Sequence, residues 1–280
     1  MQHNEGTFQG YGGIRLYTQS WLPDTAPRAL VAILHGYAEH SDRYMNMVNA
    51  LVPHGYGLFA FDLRGHGRSE GRRGHVDHWS DYEADVSLFL DHIRAHMPDW
   101  PTFLLGHSNG GLIALSYGLR APHDHASGLR GVIASAPSLA PPNISPILLT
   151  TGAVLSRVWP TFSMASGLNA AYLSRIPEVA NAYRADPLVH DIGSARLSTE
   201  MTHAREWVLA HTDQWHLPLL LILGAADQVI PPQMTRQFYQ RMNYTDKEIH
   251  IYPDSYHEVH NDLSAAQEMA DLEHWMDRHL

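Results

Sequence analysis

The sequence predicts an α/β domain with a mostly parallel central sheet, an antiparallel hairpin at its start and an inserted, mostly helical cap. Short continuous apolar runs recur along the chain, "ALVAIL", "GLFAFD", "TFLLG", "GVIAS" and "LPLLLILG", as strands buried on both faces of a parallel sheet require. Between most of them lie segments with helical periodicity, such as 44–52 and 82–93, which serve as crossovers. The alternation breaks over residues 139–215, a proline-punctuated and weakly helical stretch too long for a plain loop.

The hairpin comes first, "TFQGYGG" turning into "IRLYTQSWL", with Ile14, Leu16 and Trp21 as candidates for a sheet face. The apolar runs supply the central strands. Residues 139–215 are read as a cap inserted between two of them, dividing the chain into a core of 1–138 and 216–280 and a cap of 139–215. Apolar clusters such as "SPILLTTGAVLSRVW" either line a pocket beneath this cap or form its own small core. The strand "EIHIY" and a helix over about 263–280 close the chain.

A chain of 280 residues buries a substantial core and sits near the upper limit for one compact domain with an insertion. Apolar content of 44% with 17% charged residues belongs to a globular protein. No segment approaches the roughly 18 consecutive apolar residues of a membrane span. The start, "MQHNEGTFQG", has neither a basic cluster nor an apolar run, so the expected location is cytoplasmic, with membrane contact at most peripheral. The lack of cysteine removes disulfides, thiolate nucleophiles and cysteine-based metal sites together. A net charge of -10 without a basic cluster excludes nucleic acid as a partner and favours a neutral or amphiphilic small molecule. The 21 histidines include no His-Glu-x-x-His or comparable spacing, so neither a metal nor a cofactor is expected.

The chemistry is concentrated in "TFLLGHSNGGLIAL". Gly106, Ser108 and Gly110 satisfy G-x-S-x-G, a pattern that chance supplies in about one such chain in ten when glycine makes up about 7% of residues. Context separates it from chance, because a buried strand precedes the serine and an apolar-periodic helix follows, as in a nucleophile elbow. The serine must adopt a strained turn, and side chains at the flanking glycines would collide with neighbouring elements. The helix start then directs N–H groups at a developing anion. The alternative is a serine N-cap between packing glycines.

Serine needs a base and an orienting carboxylate, expected in the order Ser, Asp, His. Asp227 follows the apolar strand in "LLLILGAADQVIP", and His257 lies in "IYPDSYHEVHND" between the last strand and the last helix. Asp254 and His260 share that loop and are the rivals; His250 lies inside the strand. The oxyanion hole calls for two donors. Asn109 N–H, just after the nucleophile, is one, and Tyr37, behind the His-Gly pair of "HGYAEHSDRY", is the other. His35 is read as a turn residue and "FDLRGHGRSEG" as a tight strand-to-helix connection.

Through "HGYAEHSDRY", "FDLRGHGRSEG", "GHSNGG", "GAADQVIP" and "YHEVH", nearly the whole chain resembles the monoacylglycerol lipase and lysophospholipase branch of the α/β-hydrolases; within the cap only "YRADPLV" does so. The resemblance implies an α/β-hydrolase fold, with Ser108 as nucleophile, Asp227 and His257 as its partners, and Tyr37 and Asn109 as oxyanion donors. It also implies that Glu39, Arg43 and His260 bind the glycerol head group; the other reading of Glu39 and Arg43 is a structural ion pair beneath the loop. The family often has glycine where Ala38 stands. The implied activity is cleavage of monoacylglycerol to glycerol and fatty acid through an acyl-enzyme, without metal or cofactor, on an amphiphilic lipid ester met at a membrane or micelle surface through the cap. Lysophospholipase, general carboxylesterase and a non-catalytic binding protein are the alternatives.

Overall fold

The structure, a computed structural model, describes residues 1–120, 128–141 and 146–280, with the side chains of 146–149 excepted. Its strands β1 (Gln2–Gln9), β2 (Arg15–Leu22), β3 (Ala29–Leu34), β4 (Tyr56–Phe61), β5 (Thr102–His107) and β6 (Leu129–Ser135) are separated by helices α1 (Met45–Leu51), α2 (Trp79–His96) and α3 (Asn109–Arg120). Then come α4 (Pro146–Val158), β7 (Ser163–Ala165), α5 (Pro177–Ala185), β8 (Ile192–Ser194) and α6 (Ala195–Ala210). The chain ends with β9 (Leu219–Gly224), α7 (Gln233–Arg241), β10 (Lys247–Tyr252) and α8 (Ala265–Asp277).

Eight strands form one sheet in the order β1-β2-β4-β3-β5-β6-β9-β10. The pairs β1–β2 and β2–β4 are antiparallel, and the remaining pairs are parallel. This is the expected mostly parallel sheet with an antiparallel start. Period-two alternation splits the apolar runs between two faces. Leu30, Ala32 and Leu34 pack in a cluster with Phe89 and Leu112, whereas Val31 and Ile33 pack on the other side with Met47 and Trp275. The hairpin residues divide likewise: Leu16 joins the first cluster and Trp21 the second. Five positions separate them, an odd number, so they cannot share the one face expected of them.

Helix ends are set by local chemistry. The segment 44–52 yields only the seven-residue α1, flanked by 3₁₀ turns at Ser41–Tyr44 and Val52–His54, the latter containing Pro53, which cannot continue an α-helix. Helix α2 instead outruns its periodic segment at both ends. A capping box starts it, with the Asp81 carboxylate accepting the His78 N–H at 3.4 Å.

Between β6 and β9, the described residues form three α-helices alongside β7 and β8, a short antiparallel pair with no periodic signature long enough to announce it. Ala170, Leu173, Ala180 and Tyr183 form a small separate cluster there. Helix α6 behaves differently, burying Leu197, Ala204 and Val208 in the same cluster as Leu112 and Trp215.

On α8, Glu268 is fully buried, and neither carboxyl oxygen has a partner among the described residues. Burial, reinforced by Asp271, pushes its pKa up to about 8. In the unfolded chain it titrates near 4.3, so between these values the folded state holds a proton that the unfolded state has lost. Stability therefore falls as pH rises through that window. Glu268→Gln should raise Tm over the parent by an increment that grows from pH 5 to about pH 8 and then levels off. Each unit of pKa separation is equivalent to about 1.4 kcal/mol. An increment independent of pH in thermal melts would show that the carboxyl is not protonated in the folded protein.

Candidate active site

Ser108 sits between the end of β5 and the start of α3 with φ at 53°, a left-handed conformation that strains a residue with a Cβ. Its main chain is held on both sides. The N–H donates to the Ser135 carbonyl at 2.8 Å, and the carbonyl accepts from Leu112 at 3.1 Å and Ser138 at 3.0 Å. The flanking glycines are a packing requirement. A Cβ on Gly106 would run into the Gly110 carbonyl, and one on Gly110 into the carbonyls of Leu34 and His35 at the end of β3. Asn109 opens α3, and the first N–H groups of a helix have no intrahelical acceptor.

Asp227 lies three residues beyond β9 and His257 five beyond β10. Gly224 brings their loops together, since a Cβ there would strike the carbonyls of Ser255 and Tyr256. The Ala225 and Ala226 N–H groups stitch the loops by donating to Tyr252 and Ser255, each at 3.0 Å. His257 Nδ1 donates to Asp227 Oδ2 at 2.7 Å, while Asp227 Oδ1 accepts the N–H groups of Val229 and Ile230 at 2.8 and 2.9 Å. Burial pulls the imidazole pKa down, but the charge and hydrogen bond of Asp227, aided by Glu258 and Glu39, outweigh it and leave His257 above the ordinary 6.5.

Ser108 Oγ lies 3.5 Å from Ser138 Oγ, at the outer limit of a hydrogen bond, and no hydrogen bond joins it to His257. Nucleophile–base contacts commonly tighten only when substrate binds. Of the rivals, Asp254 is exposed in a turn with φ at 60°. His250 faces Glu248 and Asp271.

Gly36, just before Tyr37, passes against the elbow, for a Cβ on it would stand 3.3 Å from Ser108 Cβ. His35 is locked as a neutral turn residue, donating from Nδ1 to the Gly36 carbonyl at 2.7 Å and accepting the Leu63 N–H at Nε2 at 2.8 Å. The glycine-rich connection closes around Asp62, which accepts from Ser41 N–H and Arg68 N–H, both at 2.8 Å.

Glu39, Arg43 and His260 lie behind this loop. Glu39 accepts the Gly36 N–H at 2.5 Å, the Tyr44 hydroxyl at 2.9 Å and Arg43 Nε at 2.8 Å. Arg43 Nη2 donates to both carboxylate oxygens of Glu258 at 2.6 Å, and its guanidinium lies over the Tyr183 ring at 4.8 Å. Asn261 Nδ2 completes Glu258 at 2.9 Å. Burial pushes the Glu39 carboxyl up, but the Arg43 charge, with His35 and His260, holds it below the usual range. His260 is fully buried, stacked on Tyr44 at 5.1 Å and edge-on to His107 at 4.8 Å, and burial pushes its pKa down. Glu39 and Arg43 are thus ion-paired beneath the loop. Glu258 and Ser138 were not singled out from the sequence; Glu258 adjoins the candidate base, but nothing in its spacing announces Arg43.

Among the described residues, no group of three or more His, Asp or Glu is arranged to hold a metal ion. A cavity of about 420 Å³ bounded by Leu90, Trp100 and Leu129 contains none of the site residues.

Residues 25–264 match the family described as serine aminopeptidase, S33. The chain is 34% identical to a monoacylglycerol lipase of Mycolicibacterium smegmatis over 99% of its own length and 98% of that protein. It is 31% identical to the human monoglyceride lipase, covering 90% of this chain and 82% of that one. The crystal structure of a Paleococcus ferrophilus monoacylglycerol lipase superposes with a TM-score of 0.83 at 31% identity, covering 95% of this chain and 99% of the other. With a serine elbow on an eight-stranded sheet and a family match across most of its length, the chain belongs to the serine aminopeptidase, S33, family of α/β-hydrolases.

Proposed function

We propose that this protein hydrolyses monoacylglycerols to glycerol and fatty acid through an acyl-enzyme at Ser108. The observation that carries the reading is the strained Ser108 elbow facing the Gly36–Tyr37 loop, in a chain that pairs His257 with Asp227 at 2.7 Å. The relatives named as monoacylglycerol and monoglyceride lipases supply the substrate class.

In this mechanism neutral His257 takes the Ser108 proton as Oγ attacks the ester carbonyl. The π pair moves onto oxygen, and the N–H groups of Tyr37 and Asn109 stabilise that oxyanion. His257 then gives the proton to the departing glycerol oxygen, and water repeats the sequence on the acyl-enzyme. Asp227, held by two backbone donors, fixes the imidazole tautomer and stabilises its charged form.

Glu39 and Arg43 serve the reaction by clamping the oxyanion loop to Glu258 beside the base, with His260 packed behind. Residues 139–215 act as the cap over the core of 1–138 and 216–280. Val154, Val158, Trp159 and Met164 expose an apolar surface on α4 and just beyond it, suited to transient contact with a membrane or micelle. Among the described residues, no helix is long and apolar enough to cross a membrane.

A hydrolysis panel tests the assignment, with monoacylglycerols expected to turn over faster than di- and triacylglycerols, lysophospholipids and short p-nitrophenyl esters. A lysophospholipid turned over fastest would replace the substrate class. Ser108→Ala and His257→Ala should each lower kcat on the order of a millionfold and leave the melting curve near that of the parent. Covalent labelling by a fluorophosphonate should vanish in Ser108→Ala. Inactivation by His260→Ala but not His257→Ala would reassign the base.

The pH dependence follows from the raised His257 pKa. The base works only when neutral, so kcat/KM should rise with pH through a midpoint above 6.5. Asp227→Asn removes the charge that raises it and should shift that midpoint to lower pH, with kcat falling about 10⁴-fold by analogy with other triads. An unmoved midpoint would mean that another group titrates.

Arg43→Ala leaves two buried carboxylates unpaired, a change that typically costs about 3–5 kcal/mol. It should lower Tm and reduce kcat/KM equally for monoacylglycerol and a p-nitrophenyl ester of the same acyl chain. A loss confined to monoacylglycerol would instead assign these residues to the glycerol head group.

A further inference from the structure

Ala38 follows Tyr37 and holds φ at 70°, the left-handed region in a residue that carries a Cβ. Such a conformation persists only where the surroundings hold it, and here the hold comes from the inserted stretch. The His190 N–H donates to the Ala38 carbonyl at 3.1 Å. The His190 imidazole stands perpendicular to the Tyr37 ring at 5.6 Å, and on the core side His66 meets that ring edge-on at 6.0 Å. His66 is itself immobilised, fully buried with Nδ1 donating to the Arg64 carbonyl at 3.0 Å. Gly193 closes the box, since a Cβ there would stand 2.9 Å from the Tyr37 hydroxyl. His66 and His190 stand 4.8 Å apart against the same side of the Tyr37 ring, with Gly193 close to its hydroxyl, and the next carbonyl along the chain is tied to His190.

We propose that His190 is a positioning residue for the oxyanion loop, its ring wedged against both His66 and Tyr37 so that the backbone leading into the strained Ala38 keeps the Tyr37 N–H aimed at the developing oxyanion. The proposal rests on the assignment of that N–H as an oxyanion donor. Oxyanion donors act by being in place before the charge forms, and a displacement of about 1 Å in a catalytic group can cost about 10²-fold in rate. Loss of the wedge therefore acts on the transition state and not on substrate capture.

An alkyl trifluoromethyl ketone reads this directly. Ser108 Oγ bonds to its carbonyl carbon, the π pair becomes an oxyanion in the hole, and the serine proton passes to His257. The methyl ketone of the same chain length occupies the site and serves as the ground-state control. His190→Ala should lower kcat for monoacylglycerol about tenfold and weaken the trifluoromethyl ketone by the same factor, with KM and the methyl ketone within about twofold of the parent. His190→Phe restores the wedge without the imidazole and should stay within about twofold of the parent in all four measurements. The proposal is overturned if His190→Ala binds the trifluoromethyl ketone as the parent does, or if its loss appears only in KM and the methyl ketone. It is equally overturned if His190→Phe, melting at the parent temperature, falls as far as His190→Ala. A parent enzyme indifferent to the trifluoromethyl ketone would remove the serine-hydrolase reading itself, and this proposal with it.

Discussion

Three close approaches at glycines, two of them against backbone carbonyls with no room for a Cβ, hold this structure together around Ser108. At Gly110 the start of α3 lies on the carbonyls that end β3, at Gly36 the following loop lies on the serine, and at Gly224 the Asp227 loop lies on the His257 loop. These contacts are steric and admit little adjustment. They fix where the strand ends meet, so the polar side chains carried there have few positions available. The positive φ at Ser108 is sustained by backbone hydrogen bonds from two neighbouring segments.

Charge adds a second tier of constraint. Glu39, Arg43 and Glu258 lie buried together, and one guanidinium is shared by two carboxylates from loops distant in sequence. Such an arrangement is stable only when complete, because removing one member strands the others away from water. Glu39 also accepts from the main chain of Gly36, and Glu258 adjoins His257. The loop beside the nucleophile and the loop carrying the base are thereby coupled through ions that need not touch a substrate.

Most of this architecture was legible in the residues. Continuous apolar runs gave the strands of the parallel sheet, and glycine spacing gave the elbow, because both signals come from local packing that sequence records directly. The antiparallel pair β7–β8 left no trace, since three residues are too few for period two to emerge. The division of Leu16 and Trp21 between the two faces was written in their odd separation but not drawn from it. Glu258 escaped notice for a different reason: its partner lies 215 positions away, and pairing at that range is set by the fold. Ser108 and His257 share no hydrogen bond here, so the order Ser, Asp, His carried more information about that pair than the distances do.

Helix α6 ends the inserted stretch with Leu197, Ala204 and Val208 committed to the central core. Withdrawing them would expose apolar surface worth several kcal/mol at roughly 25 cal/mol per Å². The insertion is therefore anchored along its rear edge, and a lid swinging freely on two hinges is ruled out. Among the described residues before α6, Ala170, Leu173, Ala180 and Tyr183 bury in a cluster of their own and not in the central core. The likeness is to an awning fixed along one side.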